Sequence, residues 1–309
     1  MKIILAKPRG FCAGVERAIK CVEESLDRYG APVYVLNDIV HNKHVVDELR
    51  NRGAVFVKEL SEVPEGSRLL FSAHGVGPER YAHADKYKME VIDATCPLVE
   101  KVHNEARRFA ANDYTIVLIG EDGHDETVGT MGWAPENIRL VFTSEDVDAL
   151  DVPNPEHVSY ITQTTLSVQD CDRVIKKLRE KFPNIQGPPK SDICYATSNR
   201  QAAVAALSPE VDLVLVVGDR ESANSNRLAE ICRAEGKPAQ LISNAAMIDP
   251  DWLDGMESIL LTAGASAPEL LVQGVIDWFR ERVPVEVEER EVMMEDVHFK
   301  LPRELSPSN

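Results

Sequence analysis

Three of the six cysteines share a setting that could support chemistry. Cys12, Cys96 and Cys194 each end a short segment that leads straight into a helical pattern (GFCAGVERAI, IDATCPLVEK, SDICYATSNR). A thiol at the N-terminal end of a helix lies in partial positive charge, which favours the thiolate. Three thiolates suit a zinc ion with a fourth ligand, or a 4Fe-4S cubane with one iron left open. Zinc sites usually draw ligand pairs from short spacings such as C-x-x-C, whereas these cysteines lie roughly a hundred residues apart, and that favours a cluster. Inert buried thiols are the plain alternative. Cys21, Cys171 and Cys232 fall inside amphipathic helical patterns and are expected to be core residues.

A second set of residues recurs at strand-like ends. His41, His74 and His124 follow VYVLNDIV, RLLFSA and TIVLIGEDG, while Ser222, Asn224 and Ser266 follow DLVLVVGDRE and SILLTAGA. Small-residue turns (AHGVGPE, GEDGHDETVGTMG, TAGASAPE) let backbone amides approach a ligand and open helices, as anion sites require. Neutral imidazole, hydroxyl and amide donors would hold an anion without help from net charge. Glu126, two residues after His124, is costly to bury unless it moves protons, so it is the candidate acid, with Asp122 and Asp125 as acidic neighbours. Thr164 and Thr165 could relay a proton through a hydroxyl, or simply end a strand, and Gln163 is similar.

These positions need a scaffold that returns to the same place repeatedly. Eleven short apolar runs, from IILAK to SILLTA, alternate with helical patterns such as VERAIKCVEESLDRYG, where Gly30 is the expected stop, and APELLVQGVIDWFRER. That alternation predicts an α/β fold with mainly parallel sheets. The chemical order repeats three times. The first unit is 13–96 and the second 97–193. The third is 194–282, which lacks a closing strand and cysteine, completed by residues 1–12. Three pseudo-threefold-related units around a central cluster and substrate cavity are expected. The acidic, Pro-flanked segment 283–309 is expected to wrap over another domain and end without order.

Composition narrows the function. Lys plus Arg number 34 against 51 Asp plus Glu, a net charge of −17 that disfavours nucleic acid and anionic membrane as partners. No apolar run reaches membrane-spanning length, and MKIILAKPRG is too short in apolar residues for a signal peptide, so a cytoplasmic, reducing location is expected. No G-x-G-x-x-G fingerprint follows a strand, which points away from a nicotinamide cofactor and makes a ferredoxin or flavodoxin a plausible electron donor.

Together GFCAGVERAI, VHN at 40 to 42, SAHGVG, IDATCPLVEKVH, GHDETVGTMG, TQTTLSV, DICYATSNRQ, SANSNRL and TAGASAPE resemble the 4-hydroxy-3-methylbut-2-enyl diphosphate reductases of the non-mevalonate isoprenoid pathway. The resemblance runs from Cys12 to Ser266. It implies a 4Fe-4S cluster on Cys12, Cys96 and Cys194 whose fourth iron binds the substrate oxygen. It also implies a two-electron, two-proton reductive dehydroxylation giving isopentenyl and dimethylallyl diphosphates. His41, His74, Ser222, Asn224 and Ser266 would hold the diphosphate with His124 beside it, and Glu126 would donate the proton with help from Thr165. Ala223 departs from relatives that carry serine there. Two rival readings remain: a hydro-lyase with an open iron and no net electron transfer, and a non-catalytic metal-dependent regulator, for which no basic DNA-binding element is visible.

Overall fold

A computed structural model describes residues 1–306. In chain order the elements are β1 (Lys2–Lys7), α1 (Ala13–Tyr29), β2 (Val33–Leu36), α2 (Lys43–Asn51), β3 (Ala54–Val57), β4 (Arg68–Phe71), α3 (Pro78–Lys86), β5 (Glu90–Asp93), α4 (Pro97–Ala110), β6 (Thr115–Ile119) and α5 (Asp125–Gly132). They continue with β7 (Ile138–Val141), α6 (Ser144–Ala149), β8 (Val158–Thr162), α7 (Val168–Lys181), α8 (Tyr195–Leu207), β9 (Leu213–Val217), α9 (Ala223–Ala234), β10 (Ala239–Ile242), β11 (Ser258–Ala263), α10 (Glu269–Arg280) and β12 (Glu286–Glu291). The result is a mixed α/β fold with three small, all-parallel sheets.

The described residues divide into two compact units. The first comprises Met1–Val15, His41–Val45 and Tyr195–His298, and it holds the five-stranded sheet β10-β9-β11-β1-β12. The N-terminal strand lies between β11 and β12, with Ile3 opposite Ile259 and Val287. Its central strands are apolar at successive positions because both faces are covered. Ile3, Leu5, Leu215 and Leu261 pack toward Val272, Ile276 and Phe279 of α10. Ile4, Val214, Val216 and Leu260 face Val204 of α8 and Leu228 and Cys232 of α9. Leu215 is fully buried, so Leu215→Ala should cost about 2–5 kcal/mol, read as a lower urea midpoint at unchanged slope.

The 283–309 segment differs from expectation at its start. Residues 286–291 form an edge strand, EVEERE, charged at every position but Val287 and parallel to β1, where Lys2 pairs with Glu288 and Arg9 with Glu289. Charged side chains on an edge discourage further strands from joining it. Positions 307–309, where the chain was expected to lose order, lie outside the described residues.

The second unit comprises Glu16–Val40, Val46–Cys194 and Phe299–Asn309 and carries two sheets, β3-β2-β4-β5 and β7-β6-β8. Gly30 ends α1 as expected, at φ +76 with its amide on the Leu26 carbonyl. Residues 190–194, which lead to Cys194, form no strand, and the parallel pairing nearest before them is a bridge between Ser159 and Gln186. Pro188 and Pro189 have no N–H for a ladder, and the Asp192 carboxylate takes the Thr162 amide at 3.0 Å instead. Among the described residues no helix is long and apolar enough to cross a membrane.

Candidate active site

In the second unit the site is built around Glu126. His124 caps α5, its Nδ1 accepting the Glu126 amide at 3.1 Å. An acceptor at Nδ1 places the imidazole proton on Nε2, which is therefore the ring's donor. The His74 ring stands edge-on to it, centroids 5.9 Å apart, with Ser72 Oγ 3.2 Å from His74 Nδ1 and Asp125 Oδ2 at 3.9 Å. The turn that presents His74 needs glycine: Gly75 has φ +75, and a Cβ there would lie 2.6 Å from the His103 ring.

Glu126 is 2% exposed. Its Oε1 accepts the Thr164 amide at 2.6 Å and its Oε2 accepts the Thr164 hydroxyl at 2.9 Å. Burial pushes the carboxyl up to about 7, against the lowering effect of those two donors, and Asp192 raises it further. The adjacent Thr165 faces elsewhere: its hydroxyl accepts from Gln163 Nε2 at 3.0 Å, while Gln163 Oε1 takes the Glu121 amide and the Thr127 hydroxyl. The hydroxyl that touches the carboxylate is therefore that of Thr164.

The raised carboxyl makes a stability prediction. The folded state keeps a proton on Glu126 that the unfolded chain releases near its ordinary pKa of 4.5, so the cost of burying this group is absent below 4.5 and grows as pH rises to about 7. Melting temperatures of Glu126→Gln and the parent should therefore be close at pH about 5, with the variant the more stable at pH about 8. A gap that stays constant across that range contradicts the shift.

Cys96 and Cys194 also belong to this unit. Cys96 is the N-cap of α4, its amide on the Ala73 carbonyl beside His74, and Pro97 occupies the first helical position. Cys194 immediately precedes α8, and its amide donates to the Thr164 carbonyl at 3.0 Å, so the residue that holds Glu126 also anchors this cysteine. Two residues before it, the buried Asp192 pairs with Lys101 of α4 at 2.5 Å. Glu105, one turn along α4, is raised to about 7 by burial and by its bond with Asp192. Sequence reasoning missed this trio, because nothing local marks three charges from distant segments as neighbours.

The first unit carries the remaining polar residues. Ser222 is the N-cap of α9, its Oγ accepting from the Ser225 amide at 3.3 Å and the Ser225 hydroxyl at 3.0 Å. Asn224 Oδ1 accepts the Ala265 amide at 2.9 Å, and Ser266 Oγ donates to the His41 carbonyl at 3.0 Å. These bonds bring the α9 N-terminus, the loop after β11 and the His41 segment together. Ser225 went unnoticed in the sequence. It is fully buried, and a Cβ on Gly264 would fall 2.0 Å from its hydroxyl, so both residues set how closely these two loops approach. Ala223 begins α9 and is buried.

Cys12 lies in the same unit, its amide on the Ala265 carbonyl. The six cysteines separate into two groups. Cys12, Cys96 and Cys194 are partly exposed and placed before helices, whereas Cys21, Cys171 and Cys232 are buried. Burial pushes the thiols of the second group up, to about 11 for Cys21 and Cys232 and about 12 for Cys171, and makes them poor ligands.

Fold and side chains define a class: a parallel-sheet α/β protein with three partly exposed cysteines at helix starts and a buried acid. Residues 3–280 match the family model described as LytB protein, and the chain belongs to that family. Among curated relatives, the 4-hydroxy-3-methylbut-2-enyl diphosphate reductase of Mycobacterium sp. (strain JLS) is 50% identical over 308 residues, covering 99% of this chain and 92% of the relative. The protein of the same name from Zymomonas mobilis subsp. mobilis is 54% identical over 302 residues, covering 98% and 89%. The solved structure of the E-1-hydroxy-2-methyl-but-2-enyl-4-diphosphate reductase from Plasmodium falciparum matches with a TM-score of 0.96 at 39% identity, over 98% of this chain and 96% of that one. By family the chain is an oxidoreductase.

Proposed function

We propose that the chain reduces 4-hydroxy-3-methylbut-2-enyl diphosphate to isopentenyl and dimethylallyl diphosphates. Two electrons and two protons enter, the allylic C–O bond breaks and water leaves. The observation that carries this reading is Glu126: a buried carboxyl held by two Thr164 donors and raised to about 7 is protonated often enough at neutral pH to supply the departing hydroxyl with a proton. A carboxyl at the usual value would be almost wholly ionised there.

The partly exposed residues Cys12, Cys96 and Cys194, each at the start of a helix, fit a three-sulfur site, and the buried thiols do not. A 4Fe-4S cluster bound by them would supply an open iron as Lewis acid toward the allylic oxygen and a store for single electrons. His41, His74, Ser222, Asn224 and Ser266 are assigned to the diphosphate. They offer imidazole, hydroxyl and amide groups in place of lysine or arginine, which suits a protein of net charge −17. His124 presents its Nε2–H to the substrate and, through Nδ1, fixes the first turn of α5, on which Glu126 sits. Thr164 holds the acid in place, and Thr165, whose hydroxyl lies on Gln163 Nε2, is assigned to the substrate instead of to the proton path. The electrons come from a ferredoxin or flavodoxin in the cytoplasm.

Anaerobically reconstituted protein supplied with a reduced viologen should convert the hydroxylated diphosphate to both products, and should do nothing without reductant. Conversion that proceeds without reductant makes the protein a hydro-lyase and overturns the proposal. Absence of conversion in protein with a full iron and sulfide complement overturns the substrate assignment.

A further inference from the structure

Arg200 of α8 is a fully buried guanidinium whose N–H groups are all engaged. Nε donates to the Gly10 carbonyl at 3.2 Å, and Nη2 donates to Gly10 at 2.7 Å and Phe11 at 3.4 Å. Nη1 donates to the Ala196 carbonyl at 3.0 Å and to Glu295 Oε1 at 3.0 Å. Glu295 also accepts from Asn199 Nδ2 at 3.0 Å. It reaches α8 because the chain beyond β12 continues along β1, with the Val292 amide on the Lys7 carbonyl at 2.9 Å. Every one of these groups lies in the first unit.

Two of the three carbonyls that Arg200 grips, those of Gly10 and Phe11, belong to the residues directly before Cys12. From the opposite side the same loop is held by β11 and its exit, with the Gly10 amide on Ala263 and the Cys12 amide on Ala265, both at 3.2 Å. Behind it the Ala13 amide donates to the Tyr195 hydroxyl at 3.2 Å. Gly10 has φ +66, and a Cβ on it would stand 3.2 Å from the Ala267 carbonyl, so the turn has little freedom to relax. A buried cation with five donors would be costly without a carboxylate. The carboxylate comes from the C-terminal segment.

We infer that Arg200 and Glu295 are positioning residues for Cys12, the C-terminal segment acting as a strap that charge-balances the guanidinium and so fixes the loop presenting the thiol. The importance of this for catalysis rests on the proposed ligand role of Cys12; the positioning itself does not. Removing the Glu295 carboxylate loosens the Gly10–Cys12 turn and leaves Cys96 and Cys194, in the other unit, unchanged.

The test uses the full chain, reduced and free of metal. Iodoacetamide alkylation is followed peptide by peptide by mass spectrometry, so that Cys96 and Cys194 serve as internal standards in the same tube. In Glu295→Ala the Cys12 rate should change at least fivefold relative to those standards. In Glu295→Gln, which keeps an acceptor for Arg200 and Asn199 but removes the charge, it should shift in the same direction by a smaller factor. A Cys12 rate that stays with the standards overturns the inference, and so does a parallel change at all three cysteines, which is general loosening. On iron-loaded protein, Glu295→Ala should lose iron to a chelator several-fold faster than the parent. If the parent binds no iron, the cluster reading fails and the positioning claim is judged on alkylation alone.

Discussion

Glu126→Gln should lower turnover by about 10²–10⁴-fold while leaving iron content and diphosphate affinity near those of the parent, because the substitution removes a proton and little else. Glutamine has nearly the shape of the protonated carboxyl. Its carbonyl still accepts the Thr164 amide, and its amide can donate to the Thr164 hydroxyl, so the loop that also anchors the Cys194 amide keeps its geometry. The parent's rate should fall as pH rises through about 7, where the acid is lost, and this limb should vanish from whatever activity the variant retains. The same variant gains stability at high pH, as a residue held in a costly state for function should. Turnover equal to the parent's would remove Glu126 from the mechanism. Loss of diphosphate affinity would make its role structural. Steady-state kinetics over pH 6 to 9 with binding measured by calorimetry separates these outcomes.

Cys96→Ser should abolish a stable four-iron cluster and all reductive activity, with the fold retained. A serine hydroxyl ionises far above neutral pH and binds iron weakly beside a thiolate. The fold survives because the backbone bonds that tie Cys96 to its surroundings are kept by the substitution. Its amide bonds Ala73, its carbonyl accepts from Val99 and Glu100, and no side-chain cap bond forms. A cysteine from the buried group gives the contrast. Cys171→Ser places a hydroxyl in the apolar core with Val174 and Leu178, so it should lower stability by about 1–3 kcal/mol and leave iron binding intact. Iron and sulfide assays with circular dichroism on both variants check the pair. Full iron and sulfide in Cys96→Ser contradicts the three-ligand site.

What could be read from residue order followed from how each segment is covered. Leu213–Val217 announces itself as a strand because helices cover both its faces, so every position is apolar. Glu286–Glu291 hides the same structure, since an edge strand needs charge more than hydrophobicity. Helix α5 is disguised as a loop by the glycines of DETVGTMG, where Gly129 lets the helix approach the Gly75 carbonyl and Gly132 packs against Gly77. The candidate site is legible where one residue acts at a recurring strand end, as with the cysteines and His124. It is illegible where partners meet across the chain. Thr164 and Thr165 are indistinguishable on paper, yet neighbours leaving a strand point to opposite sides, and only Thr164 reaches Glu126. Lys101 with Asp192, and Arg200 with Glu295, are separated by about 90 residues or more and carry no local pattern.

The central claim is that three thiolates hold a cluster with one iron free for the substrate oxygen. An iron-57 Mössbauer spectrum of anaerobically prepared protein, recorded with and without 4-hydroxy-3-methylbut-2-enyl diphosphate, tests it most directly. A four-iron signal in which one subsite shifts when the diphosphate is added is the expected result. A cluster whose subsites all ignore the diphosphate, or protein that retains no iron, contradicts it.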